Sequence, residues 1–348
     1  MRAPQLYEMR NLTKDPATAQ LMPTVKIGGV RVPRVILGHL PFVGESYQGK
    51  AKNTEYSKRF SDIKNIVAIL TKALGQGVTV ASAPTPTEGE PARRFLEAIE
   101  ETSQDIGLGL ALIVCLRIPL LVGGNQIDDY RRWLTYYQLE RAYGEEEILR
   151  RYLSDPVLQA REDWKSKLLE RLRDPRPYSE EFAKIEVDYS KIESALIRLR
   201  SMNVLFVELG SETDLLVIGN RLDLLENLVN WLSDKYRYRC LLGSHHAGIT
   251  IPILETSKIN FHGYVTPVNK LGVMMFPTQE VCEVAIRKSE KPVVAIKPFA
   301  GGRIPPKPAL EYVYRDVAAS SCMIGVGSEG EFAQDFSAAV QIFSRQVL

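Results

Sequence analysis

The sequence predicts an α/β protein folded as a (β/α)8 barrel, on three observations. Short apolar runs of the kind buried in parallel sheets alternate eight times with segments of helical period, and most connections are short. The chain has 348 residues where a simple barrel takes about 250, and the surplus falls in two places outside the alternation. An open, doubly wound sheet is the competing arrangement, because a count of strands does not prove closure.

Taken in order, residues 33–42 (PRVILGHLPF) read as the first strand, and 57–76 as its helix, with Ile63, Ile66, Val67, Leu70 and Leu74 on one face and Gly77 as C-cap. The second strand is expected in 77–85, its helix over 92–105 and the third strand in 109–118. The fourth strand follows at 203–209, with a helix over 221–235. Strand five is placed in 238–246, a short helix at 249–255, strand six in 258–265 and a helix at 278–288. Strand seven is placed in 292–299, a helix at 309–315, strand eight in 320–326 and a closing helix at 331–343.

Two stretches remain outside the units. Residues 1–24 form an N-terminal extension that gives way to VKIGGVRV, where Gly28-Gly29 between β-rich runs signals a hairpin. Residues 125–199 read as a helical insertion between strands three and four, with Trp133, Tyr136, Tyr137, Tyr143, Tyr152 and Trp164 giving it an apolar side. Residues 131–200 hold 15 Lys+Arg against 14 Asp+Glu, so the insertion is a mixed-charge element that packs on the barrel or on a second copy of the chain.

Composition narrows the partners. With 44 Lys+Arg against 42 Asp+Glu the formal charge is +2, without the electrostatic footprint of a nucleic-acid or membrane-surface protein. Cys115, Cys240, Cys282 and Cys322 are widely spaced and form no disulfide framework, and no signal-like apolar core opens the chain, which points to a cytoplasmic protein. The apolar run 106–124 carries Arg117 and Pro119, which suits a buried strand better than a membrane span. The expected partner is a small molecule.

In a barrel of this type chemistry collects where strands end. The four histidines, His39, His245, His246 and His262, sit at or near expected strand ends, and Arg117, Glu208 and Lys297 each close an apolar run. These groups fit two chemistries. Glu208 and a histidine make an acid–base pair with Lys297 as anion or carbonyl partner, or His39, His245, His262 and Glu208 hold a divalent metal. The adjacent His245 and His246 on an extended chain point to opposite sides, so only one faces the site. Gly301, Gly302 and Arg303 after strand seven, and Gly327 and Ser328 after strand eight, have the composition of a phosphate cradle.

Four segments, IGGVRVPRVILG, LLGSHHAG, VVAIKPFAGGRI and MIGVGSEGEFAQDF, resemble the aldo-keto reductases. The resemblance implies a barrel plugged by an N-terminal hairpin, and an NADP(H) phosphate near Gly301, Gly302, Gly327 and Ser328. It also implies a catalytic tetrad that this chain lacks. Ser82 in VASAPTPTEG stands where that family has Asp, with no Tyr within ten residues; Arg117 or a neighbour replaces the Lys, and Glu208 replaces the His. The cation expected to read a 2′-phosphate is missing from GSEGE. Arg117 and Ser82 are therefore expected to contact substrate rather than to carry the family's chemistry. Three functions follow: acid–base or metal-assisted chemistry on a small carbonyl or phosphorylated metabolite, a nicotinamide-dependent oxidoreduction with another proton donor, or a scaffold acting through the insertion.

Overall fold

The computed structural model describes residues 21–106 and 109–344. A hairpin comes first, β1 (Thr24–Ile27) against β2 (Val30–Pro33), its two-residue turn made by Gly28 and Gly29 at φ +52° and +81°. Two successive left-handed residues are what a tight antiparallel turn requires, and glycine adopts them without a Cβ penalty. Residues 1–20 of the expected extension lie outside the described residues.

Eight parallel strands then close a barrel: β3 (Val35–Gly38), β4 (Val80–Ala83), β5 (Ala111–Leu116), β9 (Val204–Leu209), β10 (Arg239–Gly243), β11 (Tyr264–Pro267), β12 (Val293–Ile296) and β13 (Ser321–Gly325), the last pairing back onto β3. Closure decides against the open sheet. Strand alternation sorts the side chains into two cores. Ile36, Val80, Ile113, Phe206, Leu241, Val265, Val294 and Met323 fill the interior, and Ile27 and Val32 of the hairpin close its lower end. Neighbours of opposite parity, such as Leu37, Leu112, Val207 and Leu242, face the surrounding helices.

The first expected helix is two. Lys50–Arg59 (α1) and Ile63–Gly75 (α2) are separated at Phe60 to Asp62, because the Asp62 carboxylate accepts from Lys64 N–H at 3.0 Å and starts a new helix. Gly77 follows α2 at φ +81°. Glu90–Ile106 (α3) follows β4.

Between β5 and β9 lie three short antiparallel strands, β6 (Leu120–Val122), β7 (Asn125–Gln126) and β8 (Ile185–Val187), and the helices α4 (Asp129–Glu140), α5 (Glu145–Ser154), α6 (Pro156–Gln159), α7 (Trp164–Arg173) and α8 (Tyr189–Leu196). The sequence reading of 125–199 as a helical insertion missed β7 and β8, which lie within it. Trp133, Tyr136, Tyr152 and Trp164 are buried there, whereas Tyr143 is about half exposed.

The remaining helices are α9 (Glu212–Ile218), α10 (Leu222–Tyr236), α11 (Ala247–Glu255), α12 (Gln279–Lys288), α13 (Pro306–Glu311) and α14 (Glu329–Ser344). Among the described residues no helix is long and apolar enough to cross a membrane, and all four cysteines are free thiols.

Candidate active site

The interior alternation dictates what lines the mouth. Two residues beyond an interior apolar side chain, the next side chain points the same way, now at the C-terminal rim. That rule brings Ser82 after Val80, Cys115 after Ile113 and Glu208 after Phe206 to the floor of a cavity of about 720 Å³. Gly38 and Gly325 hold the same position on β3 and β13 and line the cavity without filling it. Gly243 holds the equivalent position on β10, where a Cβ would come within 2.9 Å of Glu208 Oε1.

Cys115 and Glu208 are directly opposite in the β5/β9 register, and the thiol donates to Glu208 Oε2 at 2.9 Å. Burial pushes the Glu208 carboxyl up from its ordinary range against the pull of the Cys115 hydrogen bond and the nearby Lys297 charge. Burial, with Glu208 adding to it, holds Cys115 as a thiol.

Lys297 directly follows β12 at φ +56°, a left-handed conformation uncommon for a residue with a Cβ and often met at functional positions. Its ammonium lies 3.3 Å from His245 Nε2 and 4.8 Å from the centre of the Tyr47 ring. Among the described residues no carboxylate oxygen lies within 4.0 Å of it. Burial and the Lys297 charge push His245 far below its usual titration range, so the ring is neutral and its Nε2 accepts from the ammonium. The turn carrying His245 is fixed from behind by buried Asp214, which accepts from His245 N–H at 2.9 Å, Ser244 Oγ at 2.6 Å and Thr250 Oγ1 at 2.8 Å.

The other three histidines are placed differently. His39 lines the cavity, but its main-chain N–H donates to Ser82 Oγ at 3.0 Å and its Nδ1 lies 2.8 Å from the same hydroxyl. Burial lowers its pKa to about 4, so it is neutral and bound to Ser82. His246 turns away from the cavity into the insertion, with Nδ1 2.5 Å from Glu140 Oε1 and its ring 4.2 Å from that of Tyr136. His262 is a correction. It precedes β11, and its ring packs under Gly28 at the hairpin end of the barrel, far from the mouth; the sequence reading had begun the sixth strand too early.

Arg117 reaches the rim with most of its side chain in solvent, its nearest anion Glu212 at 3.8 Å. The sequence reading overlooked Cys115, which strand alternation alone would have found. It also overlooked Tyr47, Tyr56, Glu331 and Asp335, which sit in a loop or on helices and carry no strand-end signal.

The expected metal set does not assemble: His262 is at the opposite end, and no group of three His, Cys, Asp or Glu able to hold a metal ion occurs among the described residues. The phosphate cradle fails as well. Gly301, Gly302 and Arg303 line the cavity, but Arg303 Nη1 already donates to the carbonyls of Ala300 at 2.8 Å and Tyr47 at 3.1 Å. Gly327 N–H donates to Glu331 Oε2 at 2.6 Å, and Ser328 Oγ caps α14 by accepting from Glu331 N–H at 3.1 Å. A carboxylate occupies the place of a phosphate, and Asp335 adds a second one to the same wall. The residues present do not fit a nicotinamide dinucleotide's phosphates.

Comparison with solved structures places this architecture. Two structures assigned as aldo-keto reductases of Pseudomonas aeruginosa superpose with a TM-score of 0.52 each, at 13% and 14% identity; they cover 93% of this chain, and 98% and 97% of their own. The chain has the aldo-keto reductase fold. At that identity the likeness concerns the fold alone. No family model and no curated protein matches the sequence.

Proposed function

We propose that the protein is an enzyme that moves a proton on a small carbonyl-bearing metabolite at the mouth of the barrel. The observation that carries this reading is the pairing of two unlike groups on one cavity floor. Glu208 is a buried carboxyl with a raised pKa, and Lys297 is an ammonium whose polar partner is a neutral imidazole. A carboxylate brought closer to neutrality by burial is a usable base, and a fixed N–H donor stabilises the oxyanion that forms when a proton leaves the carbon beside a carbonyl. Glu208 takes that proton and returns it to a neighbouring carbon or oxygen. The Lys297 ammonium donates a hydrogen bond to the carbonyl oxygen while negative charge resides there.

His245 accepts from Lys297 and fixes its direction, and Asp214 fixes His245. The acid expected among the histidines is not needed: His39 and His245 are neutral and His262 is remote. Ser82 is tied to His39 and shapes the floor, while Arg117 stands at the entrance to attract an anionic substituent.

The test is solvent exchange. In D2O the protein is expected to exchange protons alpha to the carbonyl in some members of a panel of three- to six-carbon keto and hydroxyketo acids, followed by NMR. Glu208→Gln and Lys297→Met should each slow it at least 100-fold, about 2.7 kcal/mol in barrier. Exchange unaltered by both substitutions ends the reading.

A further inference from the structure

The wall of the cavity formed by α1 and α14 carries Tyr56 from the first helix and Glu331, Gln334 and Asp335 from the second. Asp335 is 6% exposed and Tyr56 4%, and both open onto the cavity. Among the described residues neither the Asp335 carboxylate nor the Tyr56 hydroxyl has a hydrogen-bond partner. Glu331 gives one oxygen to Gly327 N–H and leaves the other uncommitted.

The cations nearby are engaged with groups other than the two carboxylates. Lys52 pairs with Glu55 at 3.0 Å; Arg59 binds Glu55 and the Gly327 carbonyl; Arg303 binds carbonyls. No Lys, Arg or His of the described residues lies within 4.0 Å of either the Glu331 or the Asp335 carboxylate. Burial, and then Glu331, raises the Asp335 carboxyl to about 7, and no positive group offsets them. Tyr56 is pushed up to about 12 by burial, then by Glu331 and Glu55, against the pull of Arg59 and with Asp335 as the smallest contribution, which places the hydroxyl in the field of both wall acids.

Two uncompensated carboxylates and an unpartnered hydroxyl at the edge of an open cavity cost folding free energy unless something fills them. A phosphate has the wrong sign. We propose that this wall is a binding site for a protonated amine, held between the Glu331 and Asp335 carboxylates with the Tyr56 hydroxyl as a third oxygen. An ammonium group has three N–H donors and one positive charge, which matches three oxygens and restores the missing cation. The aromatic face of Tyr56 adds a cation–π surface, which Lys52, 4.9 Å from its centre, already uses in part. With Lys297 on the floor of the same cavity, the favoured ligand carries an ammonium group at one end and a carbonyl or carboxylate at the other. That last clause rests on the acid–base reading, whereas the amine site does not.

The experiment is calorimetric titration of the full-length protein with pentylammonium, and in parallel with inorganic phosphate and adenosine monophosphate, at pH 8. Saturable binding of pentylammonium is expected, weakened at least tenfold by Asp335→Asn and about threefold by Tyr56→Phe, with thermal melting used to confirm that both variants fold. No binding of pentylammonium, or equal binding by wild type and Asp335→Asn, overturns the proposal. So does binding of phosphate or adenosine monophosphate that the two substitutions abolish, which would give the wall to a nucleotide. Loss of proton exchange with amine binding intact refutes only the acid–base reading, and the converse refutes only this site.

Discussion

The mouth of the barrel and the layer beneath the β5–β9 segment both bury charge, and they treat it in opposite ways. Beneath the segment each charge is matched. Arg132 donates to Glu212 at 2.9 Å and to Asp129 at 2.5 Å; Glu140 takes hydrogen bonds from His246 and from Tyr152 at 2.5 Å each; Asp214 accepts three. At the mouth Lys297 has a neutral partner, and Asp335 and Tyr56 have none among the described residues. A paired buried charge holds structure together, and an unpaired one that opens on a cavity is held ready for a ligand. Substitutions should therefore have opposite signs in the two regions.

The sharpest way to break the comparison is Arg132→Met. It removes the buried partner of Glu212, leaving the more distant Arg117 at 3.8 Å, and leaves Asp129 with Arg161 alone, and chemical denaturation should register a loss of about 3–5 kcal/mol. A near-neutral result would mean that the layer is not held by its ion pairs.

Asp335→Asn should do the reverse and stabilise the free protein. A carboxyl whose folded pKa is raised contributes stability below its unfolded value near 4, and that contribution disappears as pH rises through about 7. Beside burial, the group acting on it is Glu331 on its own helix, and its own charge in turn raises Tyr56 on α1 and Cys322 on β13. The gain from Asn should accordingly be small at pH 4, grow toward pH 7 and level off at about 2–4 kcal/mol by pH 8. A loss of stability at pH 8 would show that Asp335 has a structural partner.

Glu140→Gln tests the matched layer with a pH signature. Burial pulls the His246 pKa down, but Glu140, helped by Asp214 and opposed by Arg132, leaves it raised overall. The stabilisation from that pair is complete below about pH 6.5 and fades as pH rises through the elevated folded value. The variant should be weaker by about 1–3 kcal/mol in acid, with the deficit shrinking at alkaline pH. A pH-independent deficit would assign Glu140 to Tyr152 alone.

The smallest effect is expected at the hairpin. Gly28→Ala places a methyl 2.6 Å from the His262 ring at φ +52°, at a cost of about 1–2 kcal/mol in thermal or denaturant melts. Proton exchange and amine binding should be untouched, since that end of the barrel is remote from the cavity.

The sequence made much of the barrel legible, because strand and helix periods are local and Gly28-Gly29 is an unambiguous turn. It also led to Glu208, Lys297 and His245, since each ends an apolar run or follows one closely. His262 was misplaced because an apolar run does not reveal which of its residues enter the ladder; Tyr264 does and His262 stops short. Asp335 and Tyr56 could not be read, because their meaning comes from two helices meeting across the cavity. Gly327 and Ser328 misled for a related reason. Glycine and serine at a helix start announce free N–H groups, and whether those remain free depends on a side chain four residues on, here Glu331.

One junction has a consequence for how such a molecule can be altered. The chain between β5 and β9 departs through β6 and returns through β8, which pair antiparallel, and Asp188 N–H meets the Pro119 carbonyl at 2.9 Å. The two ends of the appendage are thus clamped together as a stem. Topologically it could be excised and the stump rejoined with a short turn. Electrostatically the cut is costly, because it would remove Arg132 and Glu140, the hydrogen-bonded partners of Glu212 and His246, and leave those two with only the more distant Arg117 and Asp214. A trimmed chain would need a compensating change at both positions, so the appendage is modular in connectivity and obligate in charge.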